Sequence, residues 1–327
     1  MQIIRDTSSL VLSPCVATIG FFDGVHAGHR YLIQQVKEIA VARGLHAALV
    51  TFSVHPRKVM NRSYRPQLLT TLEEKTALLA DTGVDDCLML DFTPEMARLT
   101  AREFMLHVLK ERFHVDCLVI GYDHRFGHHR TEGFDDYVRY GKEIGMEVVQ
   151  AKAYTDSIVM EDGKKMTVSS SVVRQLLLNG GVDLASGALG YDYFLDGVVV
   201  GGYQVGRKIG FPTANVRVDD AEKLVPANGV YAVWVSIDGK EHMGMLNIGV
   251  RPTIGNGCQR TIEVHILRFQ DNLYDKPIRV TFVRRIRSEL KFPGIEQLIA
   301  QLHTDAVEVE KVLCVCEGRS DASVLKE

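Results

Sequence analysis

The stretch Thr18–Arg30, TIGFFDGVHAGHR, decides how the first half of the chain is built. The apolar, β-branched run VATIGFF leads into it and the amphipathic run HRYLIQQVKEIAVARG (29–44) leads out, so Gly20, Gly24 and Gly28 mark a strand turning into a helix. In an open α/β sheet that turn lies at the carboxyl edge of the strands, where free helical N–H groups present partial positive charge to a ligand. Gly20 and Gly24 let the backbone approach closely, and Gly28 leaves the first helical turn bare for a phosphate. His26 and His29 then stand where donors can stabilise charge on a phosphate chain and on a departing pyrophosphate. Two other readings of the imidazoles stay open here. His26 can cap the helix while His29 packs, or the pair can contribute to a zinc site, which needs further ligands at this spacing.

The alternation of strand and helix continues beyond this turn. HAALVTFS reads as a strand, TLEEKTALLADTG as a helix with a Thr71/Glu74 capping box and a stop at Gly83, and DCLMLDF as a strand. The helix TAREFMLHVLKERF, the strand VDCLVIGYD, the helix GFDDYVRYGKEIG and the strand MEVVQAKAY complete the series. Strands separated by helices of this length pair in parallel through right-handed crossovers, which predicts an α/β doubly wound domain.

Near Tyr191 the texture changes. YFLDGVVVGG, GVYAVWVSIDG, KEHMGMLNIGV, RTIEVHILRF and IRVTFVRRI are short alternating strands with Gly, Asp and Asn turns, the pattern of an all-β antiparallel barrel or sandwich. A helix over 295–316 follows, and the polar end is expected to be a mobile tail. The expected organisation is residues 1–184, 185–316 and a tail at 317–327, with the first boundary inside GGVDLASGALG.

The composition is compatible with two domains: 327 residues, 46% apolar and 24% charged. A net charge of −3 gives no global field to draw nucleic acid or an acidic membrane, so phosphate recognition has to be local. No apolar stretch is long enough to span a bilayer and the first residues lack a leader pattern, so a cytoplasmic protein is expected. Cys15, Cys87, Cys117, Cys258, Cys314 and Cys316 form no C-x-x-C pair and read as reduced core residues.

Two further stretches carry phosphate chemistry. VSSSVVR (168–174) places the hydroxyls of Ser169, Ser170 and Ser171 at a helix start, able to cap it and donate to phosphate, with the planar cation of Arg174 one turn on. GYQVGRKIGFPTANV (202–216) has no G-x-x-x-x-G-K-[ST] sequence and so is not a P-loop. Its Gly206, Arg207, Lys208 and Gly210 still make a turn suited to phosphate, and Thr213 and Asn215 supply hard oxygen donors suited to Mg²⁺. On these residues alone a hairpin with a proline-stiffened edge is an equal alternative.

H-x-G-H within GFFDGVHAGH resembles the nucleotidyltransferase superfamily, in the version found in bacterial bifunctional riboflavin kinase/FAD synthetases. VSSSVVR is similar to that family's second phosphate motif, TFSVHP (51–56) to its His-Pro pair, and GYDHRFGHHR (121–130) to its RFG loop, with His124 where the family carries an aromatic. GYQVGRKIGFPTANV, NIGVRPTI, TIEVHILRF and LYDKPIRVTFVRRIRSELKF resemble the riboflavin kinase module in family order. The resemblance implies ATP and phosphate contacts at Gly20, Phe21, Asp23, Gly24, Gly28 and Ser169–Ser171, with His26, His29 and Arg174 catalytic. It implies flavin or nucleotide contacts at His55, Pro56, Asp123 and Arg125. In the second module it implies ATP contacts at Gly206, Arg207, Lys208, Gly210, Thr213 and Asn215, Mg²⁺ at the last two, and Glu263 as the base that activates the ribityl hydroxyl. The implied reactions are riboflavin and ATP to FMN, then FMN and ATP to FAD and pyrophosphate, with small molecules alone as partners. An H-x-G-H transferase acting on another phosphate acceptor, and a flavin-binding regulatory protein with decayed catalysis, are the competing readings.

Overall fold

A computed structural model describes residues 1–5, 13–61, 63–122, 124–128, 131–160, 162–202, 205–252 and 258–320. The chain divides into two compact units. One comprises Met1–Ser157 and Met166–Ser170, the other Ile158–Lys165 and everything from Ser171.

The first unit is built on six strands, β1 (Gln2–Ile4), β2 (Cys15–Ile19), β3 (His46–Phe52), β4 (Asp86–Leu90), β5 (Val115–Ile120) and β6 (Glu147–Gln150), in the order β1-β4-β3-β2-β5-β6. Every pairing is parallel. The helices are α1 (Ala27–Arg43), α2 (Pro56–Met60), α3 (Leu72–Ala80), α4 (Ala101–Glu103) and α5 (Phe134–Ile144). β2 is buried along its whole length and β3 from Ala47 on, as strands of a parallel sheet covered on both faces must be. The chain runs from β2 through β3 to β4 on one side and then returns to place β5 on the other. This reversal is a topological switch point, and it opens a crevice at the carboxyl ends of β2 and β5.

Three local differences from the sequence reading have physical causes. The strand expected to continue through Phe22 ends at Ile19, because Phe22, Gly24 and Val25 take φ of 55°, 78° and 37°. The helix expected over 100–113 begins with a Thr100/Glu103 capping box, but from Phe104 to Arg112 it is a π-helix. Burial of Phe104, Met105, Val108 and Leu109 serves either winding, so spacing alone does not separate them. Strands β7 (Ser157–Val159) and β8 (Lys165–Thr167) form a small separate sheet that no periodicity announced.

The second unit contains α6 (Ser170–Leu178) from Ser171 on, then α7 (Val182–Leu189). GGVDLASGALG is therefore mostly a helix with Val182, Ala185, Ala188 and Leu189 buried, and the change between units falls before it. A closed barrel follows, made of β9 (Phe194–Val200), β10 (Ala214–Arg217), β11 (Gly229–Ile237), β12 (Lys240–Pro252), β13 (Cys258–Ile266) and β14 (Pro277–Arg287). Its order is β10-β13-β12-β11-β14-β9 and all its pairings are antiparallel. The short helix α8 (Val205–Lys208) lies between the first two strands, and α9 (Ile295–Ser320) closes the unit. α9 packs Val309, Val312 and Leu313 against Phe211, Val230, Ala232 and Met245. The helix passes Cys316 and reaches Ser320; the remainder of the expected tail, 321–327, lies outside the described residues. Among the described residues no helix is long and apolar enough to cross a membrane.

Candidate functional site

In the first unit the turn after β2 sits at the switch point. His26 has extended backbone geometry and caps α1, its Nδ1 accepting the His29 N–H at 3.3 Å. That bond puts the proton of a neutral His26 on Nε2. The two imidazoles stack at 3.6 Å with planes 16° apart, and Phe22 meets His29 edge-on at 5.2 Å. His26 therefore caps and also stands beside its partner, so capping and ligand contact are not exclusive. Burial first, then the fields of His26, His124 and Lys75, hold the His29 pKa well below the ordinary 6.5. Its Nδ1 is buried without a hydrogen-bond partner. A neutral ring in such a place gains a proton only when negative charge arrives, which suits it to charge that develops on a phosphate.

Asp23, expected to contact phosphate, makes a set of hydrogen bonds within the protein. It is 3% exposed, and its Oδ1 accepts the N–H groups of Leu69 at 2.9 Å and Thr70 at 3.2 Å and the Thr70 hydroxyl at 3.3 Å. A carboxylate committed in this way shapes the turn instead of repelling a phosphate. Thr70 Oγ1 lies 3.2 Å from the Gly24 N–H, so this loop holds the turn at two points. Gly20 leaves room for the Phe22 ring, whose atoms lie 3.0 Å from where a Cβ would stand.

His55 caps α2, its Nδ1 accepting the Arg57 N–H at 3.1 Å, and Pro56 takes the first helical position. The Phe21 ring meets His55 edge-on at 4.7 Å, which brings the His-Pro pair to the H-x-G-H turn. The loop after β5 forms the other side of the crevice. Phe126 stacks on Tyr137 at 4.5 Å, and the buried Tyr137 hydroxyl accepts the Phe126 N–H at 3.1 Å. Arg125 is exposed, and Asp123 lies outside the described residues. Ile19, Phe52, Phe92, Met96, Phe104 and Phe126 line a cavity of about 70 Å³ beside this loop. Ser170 opens α6, and its hydroxyl donates to the Asp23 carbonyl at 3.0 Å. Ser169 immediately precedes the helix, whereas Ser171 and Arg174 lie further along it in the second unit.

The second unit gathers Thr213, Asn215 and Glu263. Asn215 on β10 is the direct neighbour of Glu263 on β13, and Asn247 on β12 is its neighbour on the other side. Directly opposed residues share a face, so the carboxyl group lies in a row between two amides. The Thr213 hydroxyl donates to Glu263 Oε2 at 3.4 Å. A cavity of about 610 Å³ is lined by Arg207, Pro212, Thr213, Val264 and Tyr274 among others, and meets the row at Thr213. His265, two residues beyond Glu263, donates from Nδ1 to the Pro212 carbonyl at 2.7 Å and fixes the start of the PTAN segment. Gly206 lies tight against the Phe211 carbonyl in the turn that carries Arg207 and Lys208. Gly210 has φ 85°. The oxygens of Thr213, Asn215 and Glu263 form a hard donor set that fits Mg²⁺ retaining several waters.

Tyr137, Thr70, His265 and Lys75 were not singled out by their sequence context. Lys75 stands in LEEKTALLA, where a charge reads as solvated, yet it is 2% exposed.

Comparison with known proteins agrees with the geometry of both units. Residues 9–168 match the model of FAD synthetase and residues 189–313 that of riboflavin kinase. A bifunctional riboflavin kinase/FMN adenylyltransferase of Escherichia coli K12 is 37% identical over 309 residues, which cover 93% of this chain and 96% of that protein. One from Bacillus subtilis is 36% identical over 300 residues, 90% of each. A crystal structure described as a macrolide-efflux protein from Streptococcus pneumoniae matches with a TM-score of 0.83 at 30% identity, covering 95% of this chain and 99% of that one.

Proposed function

The chain belongs to the family of bifunctional riboflavin kinases/FMN adenylyltransferases, and from that premise we propose that each step runs on the residues described in its own unit. Its substrates are riboflavin, FMN and ATP. Riboflavin is phosphorylated to FMN, and FMN is adenylylated to FAD with release of pyrophosphate.

In the kinase step the ribityl 5′-hydroxyl loses its proton to Glu263 as its oxygen attacks the γ-phosphorus of ATP, and the bond to the ADP oxygen breaks in line. Asn215 and Asn247 flank the carboxylate and orient it, while Arg207 faces the phosphates from the cavity wall. Thr213 and Asn215 would hold Mg²⁺, which when bound neutralises charge on the phosphate oxygens. In the adenylyl step an FMN phosphate oxygen attacks the α-phosphorus and pyrophosphate leaves. His26 and His29 donate to the phosphate chain as its charge grows, with the N–H groups at the start of α1 beside them. Phe21, His55 and Pro56 border the acceptor side, and Ser169 and Ser170 supply further donors to phosphate. No covalent enzyme intermediate is needed for either displacement.

The observation that carries this reading is the stacked His26/His29 pair at the switch point, where His29 is held neutral and has a buried nitrogen with no hydrogen-bond partner. Separate product analysis of the two steps tests it. His29→Ala is expected to turn riboflavin into accumulated FMN, and Glu263→Gln to make no FMN yet still convert supplied FMN to FAD. FAD formation at the parent rate by His29→Ala, or equal loss of both steps in Glu263→Gln, overturns the assignment.

A further inference from the structure

Lys75 rises from α3 beneath the H-x-G-H turn. Its ammonium donates to the Phe52 carbonyl at 2.8 Å and the Phe21 carbonyl at 3.3 Å, and it lies 4.2 Å from the centroid of the Phe21 ring. Phe52 ends β3, and Phe21 belongs to the turn after β2. The lysine therefore ties together two adjacent carboxyl ends of the sheet at the crevice. The Thr51 hydroxyl donates to the same Phe21 carbonyl at 3.3 Å, so the residue that leads into the positive-φ positions Phe22, Gly24 and Val25 is held twice.

A cation is an expensive choice for this place. Burying an ammonium costs several kcal/mol unless its charge is answered, and an apolar side chain of similar length would fill the volume. The charged and titratable groups facing it are Asp23 from the turn, His29 from α1 and Cys87 from β4. Asp23 is shared with the loop at 69–70, and the thiol is neutral, so the protein answers the charge only in part. Phosphates received at the H-x-G-H turn would supply the rest of the counter-charge.

We infer that Lys75 is a positioning residue of FAD formation, a buried cation that fixes the strained turn 20–25 and serves as counter-charge beneath the bound triphosphate. This rests on reading that turn as the ATP site of adenylyl transfer. Its burial leaves Lys75 with a pKa of about 8 in the absence of nucleotide, against 10.5 ordinarily, so the charge is present at neutral pH and lost as pH rises through 8. Phosphate oxygens above it favour the ammonium and move that loss to higher pH.

The experiment uses the full chain with ¹³C-labelled lysine, followed by NMR from pH 6 to 11. Lys75 is recognised by titrating well below the exposed lysines. Adding an unreactive ATP analogue with Mg²⁺ is expected to raise its midpoint by about one pH unit, a tenfold gain in proton affinity. A purely structural lysine would not move, and an unmoved midpoint overturns the counter-charge. In parallel, Lys75→Met is expected to lower kcat/KM for ATP in FAD formation about tenfold or more with riboflavin phosphorylation unchanged. Should Lys75→Met make FAD at the parent rate while His29→Ala does not, this inference alone fails. Should His29→Ala also make it, the reading of the turn fails. If Lys75→Met does not fold, the titration of the unsubstituted chain still decides.

Discussion

At the scale of single residues, the kinase site depends on an atom that is missing. A Cβ on Gly202 would stand 2.1 Å from the Asn215 amide nitrogen, so glycine there is what lets Asn215 lie beside Glu263. Gly202→Val is expected to displace that amide and reduce FMN formation at least about tenfold, with FAD formation from supplied FMN unchanged; assaying the two steps separately checks it. Thr213 and Asn215 drew attention in the sequence as hard oxygen donors, and Glu263 only through the resemblance of its strand to the riboflavin kinase module. Gly202 was visible only as a turn glycine, since its use depends on a strand that crosses it. Lys75 was hidden for a related reason: charges on LEEKTALLA read as a solvated face, and only folding brings the carbonyls of Phe21 and Phe52 to its ammonium. Asp23 was expected to contact phosphate through the family resemblance, and its hydrogen-bond partners at 69–70 are too distant in sequence to be read.

At the scale of elements, periodicity located the strands and helices well and their ends less well. It identified α5 almost residue for residue, because Gly133 and Gly145 bracket it and a hydrophobic face is plain. It could not see the π winding of 104–112 or the short strand β10, three of whose four residues lie inside a motif read for its chemistry. α9 was legible as a helix, but not the means of its attachment. Arg287 on β14 donates from Nε and Nη2 to the Asp305 carboxylate at 2.7–3.0 Å, and Gln301 adds a third donor at 2.8 Å. Asp305 is 1% exposed, so Asp305→Asn leaves a largely buried guanidinium without its charge partner. The expected cost is about 3 kcal/mol, read as a lower denaturant midpoint for the barrel unit. Asp305→Glu should recover only part of it, because the longer side chain cannot repeat the same fork geometry.

At the scale of the whole molecule, the sheet of the first unit carries a pH dependence in its thiols. Burial pushes Cys87 and Cys117 up to about 11 and Cys15 up to about 12. Thiols of the unfolded chain ionise near 8.5, so above that pH the unfolded chain gives up protons that the folded one keeps. Stability from this source is complete below about pH 8.5 and is lost as pH climbs toward 11. Lys75 acts in the opposite sense, because its lowered pKa makes the folded chain release its proton first, and one amine only partly offsets three thiols. Denaturant unfolding of the first unit is expected to show falling stability from pH 9 to 11, with a shallower fall in Cys87→Ala. The closed barrel has a consequence of another kind, for the order in which the chain is made. β9 is the first barrel strand to be synthesised, and along with β10 it needs β14, the last, with Phe194 opposite Thr281 and Val198 opposite Pro277. Strands β11, β12 and β13 can join as successive hairpins while translation proceeds, but the stretch from Val200 to Pro277 takes on the order of ten seconds to synthesise. Throughout that interval the apolar side chains of Leu195 and Val199 have no closed interior to enter, which leaves the nascent kinase half open to misassembly until β14 has been made.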